Sequence, residues 1–184
     1  MKEVLTQAEE KMKKTVSVLS EGYAEIRAGR ANPAVLDKVR VDYYGTPTAI
    51  NQLAAVSVSE ARLLVIQPWD PTVCRAIEKA IQTSDLGINP QSDGKVIRLT
   101  FPQLTEERRR ELVKDIGKMC EEGKIAIRSI RRDAIEKLKA MKKNGEITED
   151  DLKQEEKRAQ DLTDQYCKET DTLFQKKQKE IMEI

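Results

Sequence analysis

The sequence predicts an α+β protein, in which an elongated antiparallel three-helix bundle carries a small inserted β/α/β domain. All six prolines lie between Asn32 and Gln103. Because proline costs roughly 3 kcal/mol inside a helix, only the two flanking segments can form long helices. Charged residues are also concentrated in those flanking segments. The predicted boundaries are residues 1–30 and 105–184 for the bundle and residues 31–104 for the inserted domain.

The first two helices are predicted by apolar stripes at helical spacing. Apolar residues recur at steps of three and four from Leu5 to Ile26, which is typical of an amphipathic helix, and we expect this helix to continue to Gly29. A second helix begins after Thr105, a good N-cap residue. Its stripe continues until Asn144-Gly145, which is a C-cap signal.

The third helix is predicted to follow the second after a short antiparallel turn. Thr148 is its N-cap, and Ile147 and Leu152 have the spacing of a hydrophobic staple across that cap. The apolar stripe beyond Leu152 is narrow, which favours coiled-coil-like packing against two partners. Because none of the three helices can bury its stripe alone, they predict a bundle.

The inserted domain shows the alternating pattern of strands and the punctuation of turns. Asp70 and Pro71 are suited to opening a helix. We expect the chain to enter and leave this domain at the same end of it, next to Arg30 and Leu104. The predicted elements are strands over residues 39–43, 63–66 and 96–101, a helix ending near Leu86-Gly87, and turns at Gly45-Thr46-Pro47 and Asp93-Gly94.

The composition argues against an enzyme, a metal site or a bound cofactor. The chain has no histidine, which removes the commonest general base and the commonest metal ligand. No phosphate-binding glycine loop or nucleophile motif is present. Cys74, Cys120 and Cys167 lack CxxC spacing, so buried thiols in a reducing compartment are favoured. With no apolar signal core or membrane-length apolar run, a cytoplasmic location without membrane contact is expected.

One group of charges stands out on the helix that follows Thr105. At about 100° per residue, five cations fall within about 40° of one another, and three more widen the arc to about 140°. The centre of this arc is nearly opposite the apolar stripe, and only Glu121 interrupts the row of five aligned cations. The five aligned residues are Arg110, Lys114, Arg128, Arg132 and Lys139, and the flanking ones are Lys118, Lys124 and Arg131.

Aligned cations of this kind predict a surface that follows the phosphates of a nucleic acid. The alternative is that a highly charged helix simply exposes its cations to solvent, although pairing at i,i+4 alone would scatter them. RNA binding is the favoured interpretation. No aromatic residue lies on this face, so recognition through RNA shape and phosphates is expected rather than base stacking.

Five short segments, in this order, resemble bacterial ribosome recycling factors, and the resemblance covers the whole chain. Two departures are mild, since the family often has Thr at position 28 and Asn at position 129. The segments are Ile26–Pro33, Tyr43–Pro47, Asp85–Pro90, Leu104–Arg109 and Ile127–Ala134.

The resemblance implies an L-shaped monomer, similar in outline to a transfer RNA, whose two domains are joined by a hinge. Such a protein binds the large ribosomal subunit and its ribosomal RNA through the bundle. With elongation factor G and GTP hydrolysis it splits the post-termination ribosome. The resemblance implies RNA contacts at Arg110, Arg128, Arg131 and Arg132 and, near the junction, at Arg27 and Arg30, to which the helical alignment adds Lys114.

The predicted hinge lies where the chain crosses twice between the domains. Glycine gives backbone freedom to one crossing, and nearby prolines stiffen the chain on the side of the inserted domain. The predicted hinge residues are Gly29, Arg30, Ala31, Gln103 and Leu104.

Two other classes of function stay open at this point. A coiled-coil adaptor or chaperone would need an exposed apolar groove on the bundle, whereas the apolar stripes look fully used by packing of the three helices. An enzyme with an inserted lid would need catalytic residues, for which the sequence offers no candidates.

Overall fold

The computed structural model describes residues 2–26 and 29–183. The chain divides into two compact units, one made of residues 1–28 and 105–184 and the other of residues 29–104. The helices are α1 (Lys2–Glu25), α2 (Ile50–Leu53), α3 (Cys74–Gln82), α4 (Glu106–Lys143) and α5 (Glu149–Met182). The strands are β1 (Arg40–Tyr43), β2 (Thr46–Ala49), β3 (Ala54–Glu60), β4 (Leu63–Pro68), β5 (Gln91–Ser92) and β6 (Ile97–Thr100).

The first unit is an antiparallel bundle of α1, α4 and α5, as the sequence predicts. Leu5 near the start of α1 packs with Leu138 near the end of α4 and with Leu152 near the start of α5. Nearer the middle, Met12 packs with Ile127 and Tyr166. This succession shows that α1 runs antiparallel to α4 and parallel to α5, with one apolar core shared by all three helices.

The helix ends of this unit are closed by local hydrogen bonds. The Thr105 hydroxyl accepts from the Arg108 amide, and Thr148 and Asp151 form a reciprocal capping box at the start of α5. After α4, Gly145 has a φ of +76°. Its amide donates to the Lys142 carbonyl, as in a Schellman motif.

The first helix ends earlier than the sequence predicts, at Glu25 rather than Gly29. The Ile26 amide donates to the Tyr23 carbonyl at 3.2 Å. This i→i−3 bond tightens the last turn and ends the regular helical ladder.

The second unit contains a β1–β2 hairpin and a four-stranded antiparallel sheet of order β3-β4-β6-β5. One sheet face packs on α3 through Leu64, Ile66, Ile97 and Leu99, which are all fully buried. Strand β3 is absent from the elements predicted by sequence. Val56 and Val58 do alternate with serines, but this alternation covers only residues 56–59, and the preceding alanines carry little strand preference.

The helix predicted to end near Leu86 ends at Gln82 instead. The Thr83 hydroxyl donates to the Lys79 carbonyl and the Ser84 hydroxyl to the Ile81 carbonyl. The Ser84 side chain therefore occupies the acceptor that a further helical turn would use, whereas the Lys79 carbonyl already accepts from the Thr83 amide in the last turn. At the other end, the Asp70 carboxylate accepts from the Thr72 amide, which holds down the pKa of Asp70 and opens a short 3₁₀ turn before α3.

Two absences hold for residues 2–26 and 29–183. None of the helices there is both long and apolar enough to cross a membrane. The same residues also contain no cluster of three or more His, Cys, Asp or Glu side chains that could hold a metal ion.

Candidate nucleic-acid interface

The five aligned cations form a row along α4 that is interrupted by the exposed Glu121. We call this row the basic face: Arg110, Lys114, Arg128, Arg132 and Lys139. Helix α4 is unbroken from Glu106 to Lys143, so at about 1.5 Å per residue the row extends over about 44 Å. All five side chains are exposed. Rigid spacing of exposed cations over this length suits a polyanion that lies along the helix.

Most of the basic face is available to a ligand. Arg110 pairs with Glu106 one turn earlier on the same helix. The other four cations have no ion-pair partner within the described part of the chain. An exposed pair such as Arg110–Glu106 contributes little to stability, so a phosphate can replace the carboxylate at small cost.

Two of the flanking cations turn towards α5 instead. Lys124 is only 16% exposed, and its Nζ lies 2.5 Å from Asp171 Oδ1; this hydrogen bond raises the pKa of Lys124. Arg131 is half-buried and its Nη1 donates to Gln160 Oε1 at 2.7 Å. Without these two residues, the remaining cations span about 80° around the helix rather than the predicted arc of about 140°.

The face also contains an apolar residue that the sequence reasoning missed. Ile125 is 61% exposed and lies about 60° from Arg110 around α4. The available signal was its position, because this isoleucine falls outside the apolar stripe of the helix. Beside the exposed cations, this side chain adds an apolar contact point to the basic face.

The predicted hinge residues that the structure describes lie beside the turn between β3 and β4. The Ala31 amide donates to the Ala61 carbonyl at 2.8 Å, and the Phe101 amide donates to the Arg62 carbonyl at 2.7 Å. Gly29 has a φ of +74°. A Cβ at that position would lie 3.3 Å from Cγ of Leu104, so the two crossings contact each other.

The remaining predicted residues differ in how far the structure describes them. Arg30 is exposed and follows Gly29 outside any helix or strand. Ala31 and Gln103 fall within the unit formed by residues 29–104. Arg27, predicted as an RNA contact, lies outside the described residues.

The bundle has an apolar groove that the sequence analysis did not anticipate. It lies between α1 and α4, has a volume of about 530 Å³, and is lined by residues that include Leu19, Met119 and Ile130, with Lys11 and Lys14 also contributing. Val18 in this groove is 58% exposed. The apolar stripes are therefore not fully used by packing, and the groove alone does not exclude an adaptor.

Comparison with known proteins distinguishes these classes. The family model described as "Ribosome recycling factor" matches residues 19–182. A ribosome-recycling factor of Acetivibrio thermocellus is 65% identical over 176 residues, covering 96% of each chain. One from Caldicellulosiruptor saccharolyticus is 60% identical over 184 residues, covering 100% of each.

Two solved structures extend the similarity to three dimensions. A solution structure of the ribosome recycling factor is 42% identical, with a TM-score of 0.76, covering 100% of this chain and 97% of that one. The second provides models for the T. thermophilus ribosome recycling factor and the E. coli elongation factor G bound to the E. coli post-termination complex. It is 43% identical, with a TM-score of 0.61, covering 99% of this chain and 98% of that one.

Proposed function

The chain belongs to the ribosome recycling factor family, and we propose that it splits post-termination ribosomes into subunits together with elongation factor G. The observation that carries this proposal is similarity over the full length of relatives that bear that name. A structural relative is bound to the post-termination complex with elongation factor G. The same proposal makes the protein a cytoplasmic monomer that works without a cofactor.

The basic face is the proposed contact with ribosomal RNA of the large subunit. Arg128 and Arg132 are exposed, one helical turn apart and free of ion pairs in the described residues. Arginine suits this role because its planar guanidinium binds two phosphate oxygens at once. Lys114 and Arg110 extend the contact towards the start of α4, and Arg131 lies at its border with α5.

The two chain crossings are the proposed hinge, at Gly29, Arg30 and Ala31 on one side and Gln103 and Leu104 on the other. Gly29 supports this role because its positive φ favours a residue without Cβ. Arg30 and Arg27 near the first crossing are proposed further RNA contacts. Movement at this hinge lets the bundle stay bound while residues 29–104 are displaced.

The protein contributes binding and movement rather than bond chemistry. Ribosome recycling factors are translation factors and not enzymes. In this proposal the free energy for splitting comes from GTP hydrolysis by elongation factor G. The absence of histidine from the chain is compatible with this division of work.

The direct test is subunit splitting. Post-termination ribosomes would be mixed with the purified chain, elongation factor G and GTP, and the fractions of whole ribosomes and subunits measured by gradient sedimentation. We expect splitting only when all three are present. Ribosomes that stay whole under these conditions, although the chain binds isolated large subunits, would contradict the proposed function.

A further inference from the structure

The outer edge of β3 is an unpaired strand edge. Strand β3 pairs only with β4 and ends the order β3-β4-β6-β5. Among the described residues, no loop or turn forms a backbone hydrogen bond with positions 55–60 from the outer side. At the opposite end of the sheet, β5 has only two residues. Strand β3, with seven residues, therefore presents the longer open edge.

The pairing pattern shows which backbone groups point outward. The Trp69 amide donates to the Leu53 carbonyl, so this pair is a hydrogen-bonded one. Because such pairs alternate along antiparallel strands, Ala55 and Ser57 also bond to β4. The amides and carbonyls of Val56 and Val58 then point away from β4, into the open edge.

The pairing of β4 with β6 leads independently to the same assignment of hydrogen-bonded residues. The Phe101 amide donates to the Arg62 carbonyl. By the same alternation, Leu64 and Ile66 bond to β6. Val65 is opposite Ser57 in the register and therefore bonds to β3. Both sides of β4 thus assign the outward groups of β3 to Val56 and Val58.

Over most of its length this edge lacks the features that usually protect an open strand. Natural edges are blunted by lysine, proline, bulges or inward-pointing charges. Residues 54–59 contain no charged residue and no proline, and the protecting features begin only at the end of the strand, with Glu60 and a register shift between Val58 and Glu60. Val58 is opposite the buried Leu64, on the core face of the sheet, yet is 47% exposed. An edge with these properties favours pairing with another chain.

A groove of about 830 Å³ lies along the start of this edge. Its walls include Ala54–Val56 of β3 on one side and Pro33, Ala34 and Leu36 on the other. Trp69, which is 66% exposed, also lines it. Apolar side chains on both walls suit a ligand that carries an apolar residue at alternate positions, as an extended peptide can.

Arg40 gives the groove a positive charge. Its Nη1 donates to the carbonyls of Asp37 at 2.6 Å and Val39 at 3.3 Å. Within the described residues Arg40 has no ion-pair partner, although Asp37 also lines the groove. A guanidinium oriented in this way complements a carboxylate on the incoming segment.

We propose that the β3 edge accepts an extended segment of a partner protein as an additional strand, with alternate apolar side chains and an acidic residue towards Arg40. The inference rests on the proposed function, because it assigns this segment to a protein of the post-termination ribosome or its bound elongation factor. The backbone of Val56 and Val58 supplies the hydrogen bonds, and Trp69 borders the bound segment.

The first test compares Val58→Lys with Ser57→Lys in the full chain. Both positions are exposed and adjacent, but only the change at position 58 would put a charge on the core face at the open edge. We expect Val58→Lys to weaken binding to post-termination ribosomes with elongation factor G at least about fivefold, the equivalent of one hydrogen bond. Ser57→Lys should bind as the unchanged chain does. Equal affinities of the two variants would contradict strand addition.

The second test does not depend on the stability of these variants. A benzophenone amino acid at position 58 of the full chain would be activated in the same complex, and its products treated separately with nuclease and protease. The proposal is supported if the probe at position 58 forms an adduct with a protein and the same probe at position 57 forms much less of it. Adducts only with ribosomal RNA, adducts with a second copy of the chain, or no adduct would overturn it.

The two proposals fail in different ways. If the unchanged chain binds ribosomes and splits them while position 58 gives no protein adduct, only the strand-addition proposal is wrong. If the unchanged chain does not split ribosomes, the proposed function is wrong, whatever the adducts.

Discussion

Reversing the charge of Arg128 and Arg132 should weaken binding to isolated large ribosomal subunits and make it less dependent on salt. Both side chains are exposed on one face of α4 and have no intramolecular ion pair in the described residues. If each binds one phosphate, removing both lowers the slope of log affinity against log salt by about 1.4 to 1.8. Surface substitutions of this kind change folding stability by only about 0.5 kcal/mol.

The loss of affinity can also be bounded. A hydrogen bond to a charged group contributes about 1.5–3 kcal/mol, and exposure places these two at the lower limit. The double variant Arg128→Glu/Arg132→Glu should therefore lose about 3 kcal/mol, which is more than a hundredfold in affinity. The measurement is sedimentation with large subunits at a series of salt concentrations.

A matched control separates this face from net charge. Arg108→Glu/Lys137→Glu makes the same charge change on α4, at positions about 160–180° from Arg110 around the helix. We expect this control to keep most of the affinity and of the salt slope. If both double variants lose affinity and slope equally, with unchanged circular dichroism, the basic face has no special role.

Three other changes test the hinge, the capping box and the end of the chain. Gly29→Ala should slow splitting but not binding to large subunits, whereas Gly87→Ala, also at positive φ but with open space around it, should leave splitting unchanged; equal rates would argue against a hinge at Gly29. The Thr148 amide and hydroxyl hold the pKa of Asp151 below its usual value of 3.8. The stability that this carboxylate contributes is therefore fully present above about pH 3.8 and is lost as the pH falls through the lowered pKa. Asp151→Asn should lower Tm near pH 7 and match the Tm of the unchanged chain in acid. Deleting residues 173–184 removes the fully buried Ile181 and should lower the Tm of the bundle by several degrees in a thermal melt; an unchanged Tm would show that this end adds no stability.

The helices were predictable because local signals and core packing agree there. Thr105 and Thr148 cap their helices where the sequence indicates. The narrow stripe of α5 has a physical reason, because part of its buried face is polar. Thr163 and Thr170 are buried, and their hydroxyls donate to carbonyls of their own helix. These bonds satisfy the side chains internally, so burial leaves no apolar signal in the sequence.

The limits of prediction at the basic face and at β3 have a different cause. The angular position of Lys124 gives the direction of its Cβ, but its long side chain reaches back to Asp171 on α5. That choice depends on a residue from another helix. Strand β3 is defined by its pairing with β4, and its two alanines carry little intrinsic preference for a strand. The open β3 edge was therefore recognisable only from the structure.

The bundle's contacts also determine when it can form during synthesis of the chain. Tyr166 of α5 donates a hydrogen bond to Glu9 of α1 at 2.9 Å, across 157 residues of sequence. At roughly 5–20 residues per second, α1 waits about 8–30 seconds for this partner. Residues 29–104 include strands β1 to β6 and can fold while α5 is still being made. The bundle that carries the proposed ribosome-binding surface is therefore complete only after α5 has been made, later than residues 29–104.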